Sequence, residues 1–151
     1  LSNTEIASMA IEASKPKVIK DKELGTFKKV QGMDVFVGKI SIEGKKVYVD
    51  IVNGSDKALV RLKEVNNSME AILEKCRLAI YANLESLYDR AGVEPKNLTK
   101  EEWLQILKLK EIYIDENLDF HLYFEDKKQI FIGIQIVVVL DKDNNITSIT
   151  L

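Results

Sequence analysis

General acid–base catalysis and metal binding most often call on histidine, and this chain has a single one, His121. It falls in 118-LDFHLYFED-126, where Phe120, Leu122 and Phe124 alternate with Asp119, His121 and Tyr123. A strand sends alternate side chains to opposite faces, so the three polar residues leave one side together. Asp119, His121 and Tyr123 are therefore the candidate binding residues, for proton transfer or a small ligand. The plainer reading is a half-exposed sheet, whose outer positions are polar whatever the function. No residue is assigned a catalytic role.

Other constellations fall short of a reaction. One histidine and one cysteine do not make a zinc site, which uses four protein ligands when structural and usually three when catalytic, so no metal is expected. Cys76 lies in an apolar helical stripe, where a thiol behaves as a small hydrophobe without an activating base. Asp141, Asp143 and Asn145 copy the start of a calcium loop, but Ile146 replaces the required glycine and the chain ends before a twelfth-position glutamate, so the segment reads as a turn. No dinucleotide, nucleotide triphosphate, hydrolase-elbow or zincin motif occurs, and no cofactor is expected. Glu111, Asp115, Glu116, Asp119, Glu125 and Asp126 read as a solvated acidic face, or as one that recognises a basic protein partner.

The elements that must position these residues follow from periodicity. Ser2, Asn3 and Thr4 cap a short amphipathic helix through Ala13, stopped by Pro16, and Lys15, Lys17, Lys20 and Lys22 follow in a solvated linker. Period-two alternation then predicts strands around Phe27 to Val30, over Val35 to Ile42, and over Lys46 to Val52. Ser55 or Asp56 caps a helical region from about Lys57 to Ala91, which would be about 50 Å long as one rod. Asn67 and Glu70 look like a capping box, so two helices meeting near Asn66 are expected. Gly92 suits a helix C-cap, and Thr99 with Glu102 opens a further short helix. Strands return at Ile112 to Ile114 and Phe120 to Phe124. The run from Ile130 to Leu140, apolar on both faces, predicts a central strand covered twice, and Ile149 with Leu151 closes a last strand.

Strands, then helices, then strands predict an α+β fold, an antiparallel sheet of six to seven strands with two or three helices on one face. Residues 1–23 read as N-terminal helix and linker, and 24–151 as a single α+β domain. A length of 151 residues, 46% hydrophobic and 30% charged, suits one ordinary core. The net charge of −2 provides no global field for nucleic acid, and no apolar run approaches the roughly 20 residues of a membrane helix, so neither partner is expected. A lone cysteine fits a reducing compartment, and a cytoplasmic setting is the expectation. Leu1 in place of an initiator methionine fits a trimmed natural N-terminus.

The helix start Leu98-Thr99 with Glu101, Glu102 and Trp103, the strand 109-LKEIYID-115, and above all 118-LDFHLYFED-126 followed by 131-FIGIQIVVV-139 and Asp141 resemble a bacterial family of uncharacterised domains, domain of unknown function 2262. The residue-level likeness is concentrated in the last third. The family pattern implied there is Phe-Trp-Gly-His before an aliphatic strand. This chain has Phe131-Ile132-Gly133-Ile134, so no role of that histidine carries over. The resemblance implies an intracellular bacterial domain without an assigned activity. Small α+β domains of this kind also look like immunity proteins of toxin systems, an analogy of fold. The expected function is a non-enzymatic protein-binding domain, immunity-like in one concrete form. The alternative is a small-ligand or enzymatic domain using the outer sheet face around His121. Homo-oligomerisation is compatible with both.

Overall fold

The computed structural model describes residues 2–7 and 17–151. Eight strands form one mixed sheet in chain order: β1 (Val18–Asp21), β2 (Gly25–Lys29), β3 (Val35–Ile42), β4 (Lys45–Val52), β5 (Leu107–Ile114), β6 (Phe120–Asp126), β7 (Ile136–Leu140) and β8 (Ile146–Thr150). Helices α1 (Asp56–Asn67), α2 (Met69–Ala82), α3 (Leu84–Ala91) and α4 (Lys100–Ile106) all lie between β4 and β5 in sequence. Their apolar stripes, with Leu62, Val65, Leu73, Cys76, Ile80 and Leu87, join one buried cluster with the inward side chains of the sheet. The architecture is α+β, as expected, with more strands and helices than the six to seven and two or three that periodicity suggested.

The strand count differs because the sheet starts earlier than Leu24. Val18–Asp21, expected as linker, pairs antiparallel with β2 from Val18 opposite Lys28 to Asp21 opposite Gly25. Its burial alternates between exposed and partly buried, but Val18-Ile19 is followed by Lys20-Asp21, so neither face of this four-residue strand reads as apolar and no period stands out. At the N-terminus, Ser2 and Glu5 cap each other reciprocally ahead of helical residues 3–7. The expected continuation to Ala13 and the stop at Pro16 lie outside the described residues.

All strand pairs are antiparallel except β4 with β5, which run parallel from Tyr48 opposite Glu111 to Ile51 opposite Ile114. A parallel pair needs a long crossover, and the four helices supply it. The helical region expected as two helices is three, interrupted at Ser68 and Asn83, whose φ of −114° and −110° leave the helical range. No side-chain cap forms at Ser68, so the Asn67–Glu70 box does not make the break. The box at Thr99 does form: its hydroxyl accepts from Glu102 N–H and the Glu102 carboxylate accepts from Thr99 N–H. Ser55 caps α1 through Ala58 N–H, and Gly92 ends α3 with φ 67°.

The largest correction concerns Ile130 to Leu140. The sheet's centre is β4 and β5, while β7 is next to the edge and only Ile136–Leu140 of the run is strand. Ile130 and Phe131 are buried, but through a turn. The Asp126 carboxylate, itself buried, accepts from Ile130 N–H at 2.6 Å and Phe131 N–H at 3.2 Å. Phe131 packs against Tyr88 and Trp103, with ring centroids 5.7 and 6.0 Å away. Ile132 then turns outward, 73% exposed, with a φ of 56° that β-branched side chains rarely adopt. An apolar run made of half a turn and half a one-sided strand has the same composition as a doubly covered strand, which is why composition alone misplaced it.

Candidate functional site

The side of the sheet away from α1 to α4 gathers its polar residues in two rows. Register places Asp50, Tyr113, His121, Val139 and Ser148 across β4 to β8 in one row, and Tyr48, Glu111, Tyr123, Val137 and Thr150 in the next. Tyr48 is exposed and the others are partly exposed. His121 and Tyr123 thus share the outer face as expected. Asp119 precedes β6 and closes the β5–β6 turn through its backbone, donating to the Asp115 carboxylate and accepting from Asp115 N–H.

The carboxylate on His121 is Asp115, with Nε2 and Oδ2 2.9 Å apart. Burial pushes Asp115 up, but hydrogen bonds from His121 and from the N–H groups of Asp119 and Asn117 outweigh it and hold the carboxyl below its usual value. Tyr113 meets the imidazole edge-on, with centroids 5.3 Å apart. The ring is thereby fixed between a carboxylate and an aromatic neighbour.

One strand further in, Asp50 and Glu111 share a hydrogen bond. Both carboxyls are raised, chiefly by burial, and Glu111 also by the charge of Asp50. Burial and the nearby carboxylates raise Tyr123 as well. Sequence reading missed this pair because 61 positions separate its members; only the parallel β4–β5 register joins them. Alternation over Lys46 to Val52 sets Asp50 opposite Val47, Val49 and Ile51, and that was the available signal.

A raised acid pKa means the folded state holds the proton more tightly than the unfolded one. That stability is present at low pH and is lost as the pH rises through the folded value. Glu111→Gln is therefore expected to gain stability at pH 7, about half a kcal/mol after solvent screening, with the gain disappearing below about pH 4. Urea melts of both proteins across that range check it, and an unchanged or lower midpoint at pH 7 contradicts it.

Four clefts among the described residues open elsewhere. They include one between the β3–β4 hairpin and Asn66, Met69 and Leu73, and one beside Val60, Arg61 and Leu118. None of the four has Asp119, His121 or Tyr123 in its wall. Among the described residues no three His, Cys, Asp or Glu side chains gather as metal ligands would. The Asp141 segment is a turn: its carboxylate accepts from Asp143 and Asn145 N–H groups, both at 2.9 Å. Buried Arg61 donates to the Asp141 carbonyl and the Asn144 side chain and lies over the Phe120 ring, fixing that turn to α1.

The model of a family described as an uncharacterized protein conserved in bacteria, DUF2262, matches residues 21–151. The chain belongs to that family. The match takes in all of the sheet from the last residue of β1 onward, well beyond the final third that carries the residue-level likeness. No curated protein and no solved structure matches the chain. In this DUF2262 chain Cys76 is fully buried, and burial pushes its thiol up to about 12. Iodoacetamide at pH 8 is expected to leave native Cys76 unmodified and to label it only as the protein unfolds, as mass spectrometry along a urea series would show. Rapid native labelling would mean that α2 opens locally. No described helix is long and apolar enough to cross a membrane.

Proposed function

We propose that this DUF2262 chain is a non-enzymatic protein-binding domain of the bacterial cytoplasm, with neutralisation of a toxin, in the manner of an immunity protein, as one concrete form. The observation that carries this reading is the placement of Asp50 and Glu111 among Tyr113, His121 and Tyr123 on an open sheet face. Carboxyls held partly out of water, with each other rather than a cation as neighbour, gain when a partner brings a guanidinium or ammonium. Tyrosine is the residue type that interfaces favour around such a contact. The occupant is therefore a protein with a basic surface.

The test is affinity capture from a bacterial lysate with the wild type, with Glu111→Lys, and with Lys75→Glu on the helical side as a control. The reading expects a stoichiometric basic protein that Glu111→Lys loses and Lys75→Glu keeps. Equal capture by all three, or none by any, overturns it.

The His121–Asp115 contact favours a second reading, a small-ligand or enzymatic site on the same face. It expects His121→Asn to abolish binding of a small molecule while leaving capture of the protein partner intact.

A further inference from the structure

Strand directions sort the charges of this molecule by end. β4 and β5 both start, and β6 ends, at the end of the sheet that holds the β3–β4 hairpin and the 127–135 turn. Lys45, Lys110, Lys127 and Lys128 gather there, whereas Asp115, Glu116, Asp119, Asp141 and Asp143 occupy the opposite end. Around that end Glu43 is engaged with Arg77, Glu125 with Lys110 and Gln129, and Glu102 lies 4.0 Å from Lys128, while Glu70 of α2 borders the β3–β4 hairpin. Lys127 and Lys110 both lie close enough for their charges to act on Lys45. This crowding of ammonium groups lowers the Lys45 pKa.

The same turn carries the exposed apolar tip. Ile132 and Ile134 are 73% and 46% exposed. Their backbone is pinned from below by the buried Asp126 carboxylate, by Ile132 N–H on the Gln129 carbonyl and by Ile134 N–H on the Phe131 carbonyl. Ile132 stands in the left-handed region. A tip that presents two aliphatic side chains beside Lys45 and Lys127, which form no ion pair among the described residues, has two kinds of complement. Protein interfaces are depleted in lysine and built on Trp, Tyr and Arg, which this tip lacks. An anionic bilayer takes aliphatic groups at its headgroup boundary and attracts lysines to its surface.

We propose that the 127–135 turn is a peripheral docking tip for an anionic phospholipid surface, with Ile132 and Ile134 entering the headgroup boundary and Lys45 and Lys127 facing the lipid phosphates. The tip lies at one end of the sheet and the protein-binding face lies along its side, so both can be engaged together.

Co-sedimentation with phosphatidylcholine vesicles, with and without phosphatidylglycerol, tests it. The wild type is expected to bind only the anionic vesicles and to weaken as salt rises. Lys45→Gln with Lys127→Gln should weaken binding by roughly fivefold per lysine. Ile132→Asn should weaken it about tenfold while keeping or raising the melting temperature, since asparagine accepts the left-handed conformation and the lost side chain is mostly exposed. That thermal readout separates a lost tip from a lost fold. Failure to bind anionic vesicles overturns the proposal, as does binding that Ile132→Asn leaves unchanged. A dimer seen by light scattering that Ile132→Asn dissolves also overturns it, because the tip's occupant is then a second copy.

Discussion

Asp126→Ala is expected to destabilise the protein by about 3 kcal/mol, because two buried N–H groups lose a charged acceptor at once. Asp126 is 2% exposed, and its two oxygens serve Ile130 and Phe131 separately. Both bonds are buried, so each orphaned donor carries its own desolvation cost. Removing the carboxylate also relieves the cost of burying it, which keeps the net below the sum of the two bonds. Asp126→Asn, which retains one acceptor oxygen, should lose about half as much. Urea denaturation measures the difference. Trp103 fluorescence supplies a local probe, since Phe131 packs on that indole and shifts when the turn loosens. A loss under about 1 kcal/mol would show that Phe131 packing holds the turn unaided.

Gly38→Ala should be comparably costly, about 3 kcal/mol, by overpacking. A Cβ at Gly38 would sit 2.4 Å from Phe27 Cδ1 and 2.8 Å from the Thr26 carbonyl oxygen. Phe27 is fully buried, and Thr26 is backbone of the adjoining strand, so neither neighbour can step aside cheaply. The strain falls on β2, and β1 depends on β2 for its pairing. Gly38→Ala is therefore expected to release both outer strands before the rest of the sheet melts, seen as early loss of amide protection at Ile19 and Phe27. Phe27→Leu in the same chain should recover part of the loss, because the two sites share one contact. Full stability of the single variant would contradict the close approach.

How much of this was legible beforehand depends on the range of the interaction. Val35 to Ile42, the Thr99–Glu102 box and the C-cap at Gly92 are local, and they stand where period and capping chemistry put them. The inward set Phe120, Leu122 and Phe124 is equally local. Ile130 to Leu140 failed because what decides it is a carboxylate four residues upstream that draws the backbone into a turn, a feature that an apolar run does not advertise. On the candidate face, alternation placed His121 and Tyr123 side by side. It had no means of choosing between Asp115 and Asp119 as the imidazole's partner, since that choice is made by how the β5–β6 turn closes. The Asp50–Glu111 pair needed a register across the helical crossover, which no window of sequence spans.

That crossover divides the molecule kinetically. β1 to β4 form one meander and β5 to β8 another, each linked by short connections, and among the described strands the parallel ladder from Tyr48–Glu111 to Ile51–Ile114 is the one pairing that joins them. Each meander closes short loops, whereas the joint must close one of more than fifty residues, with the larger entropy that such closure costs. The halves are thus expected to assemble first and the seam last, and until it closes β4 and β5 each present an open edge. The aggregation hazard of this chain then belongs to its two innermost strands, which in the finished sheet have no free edge at all.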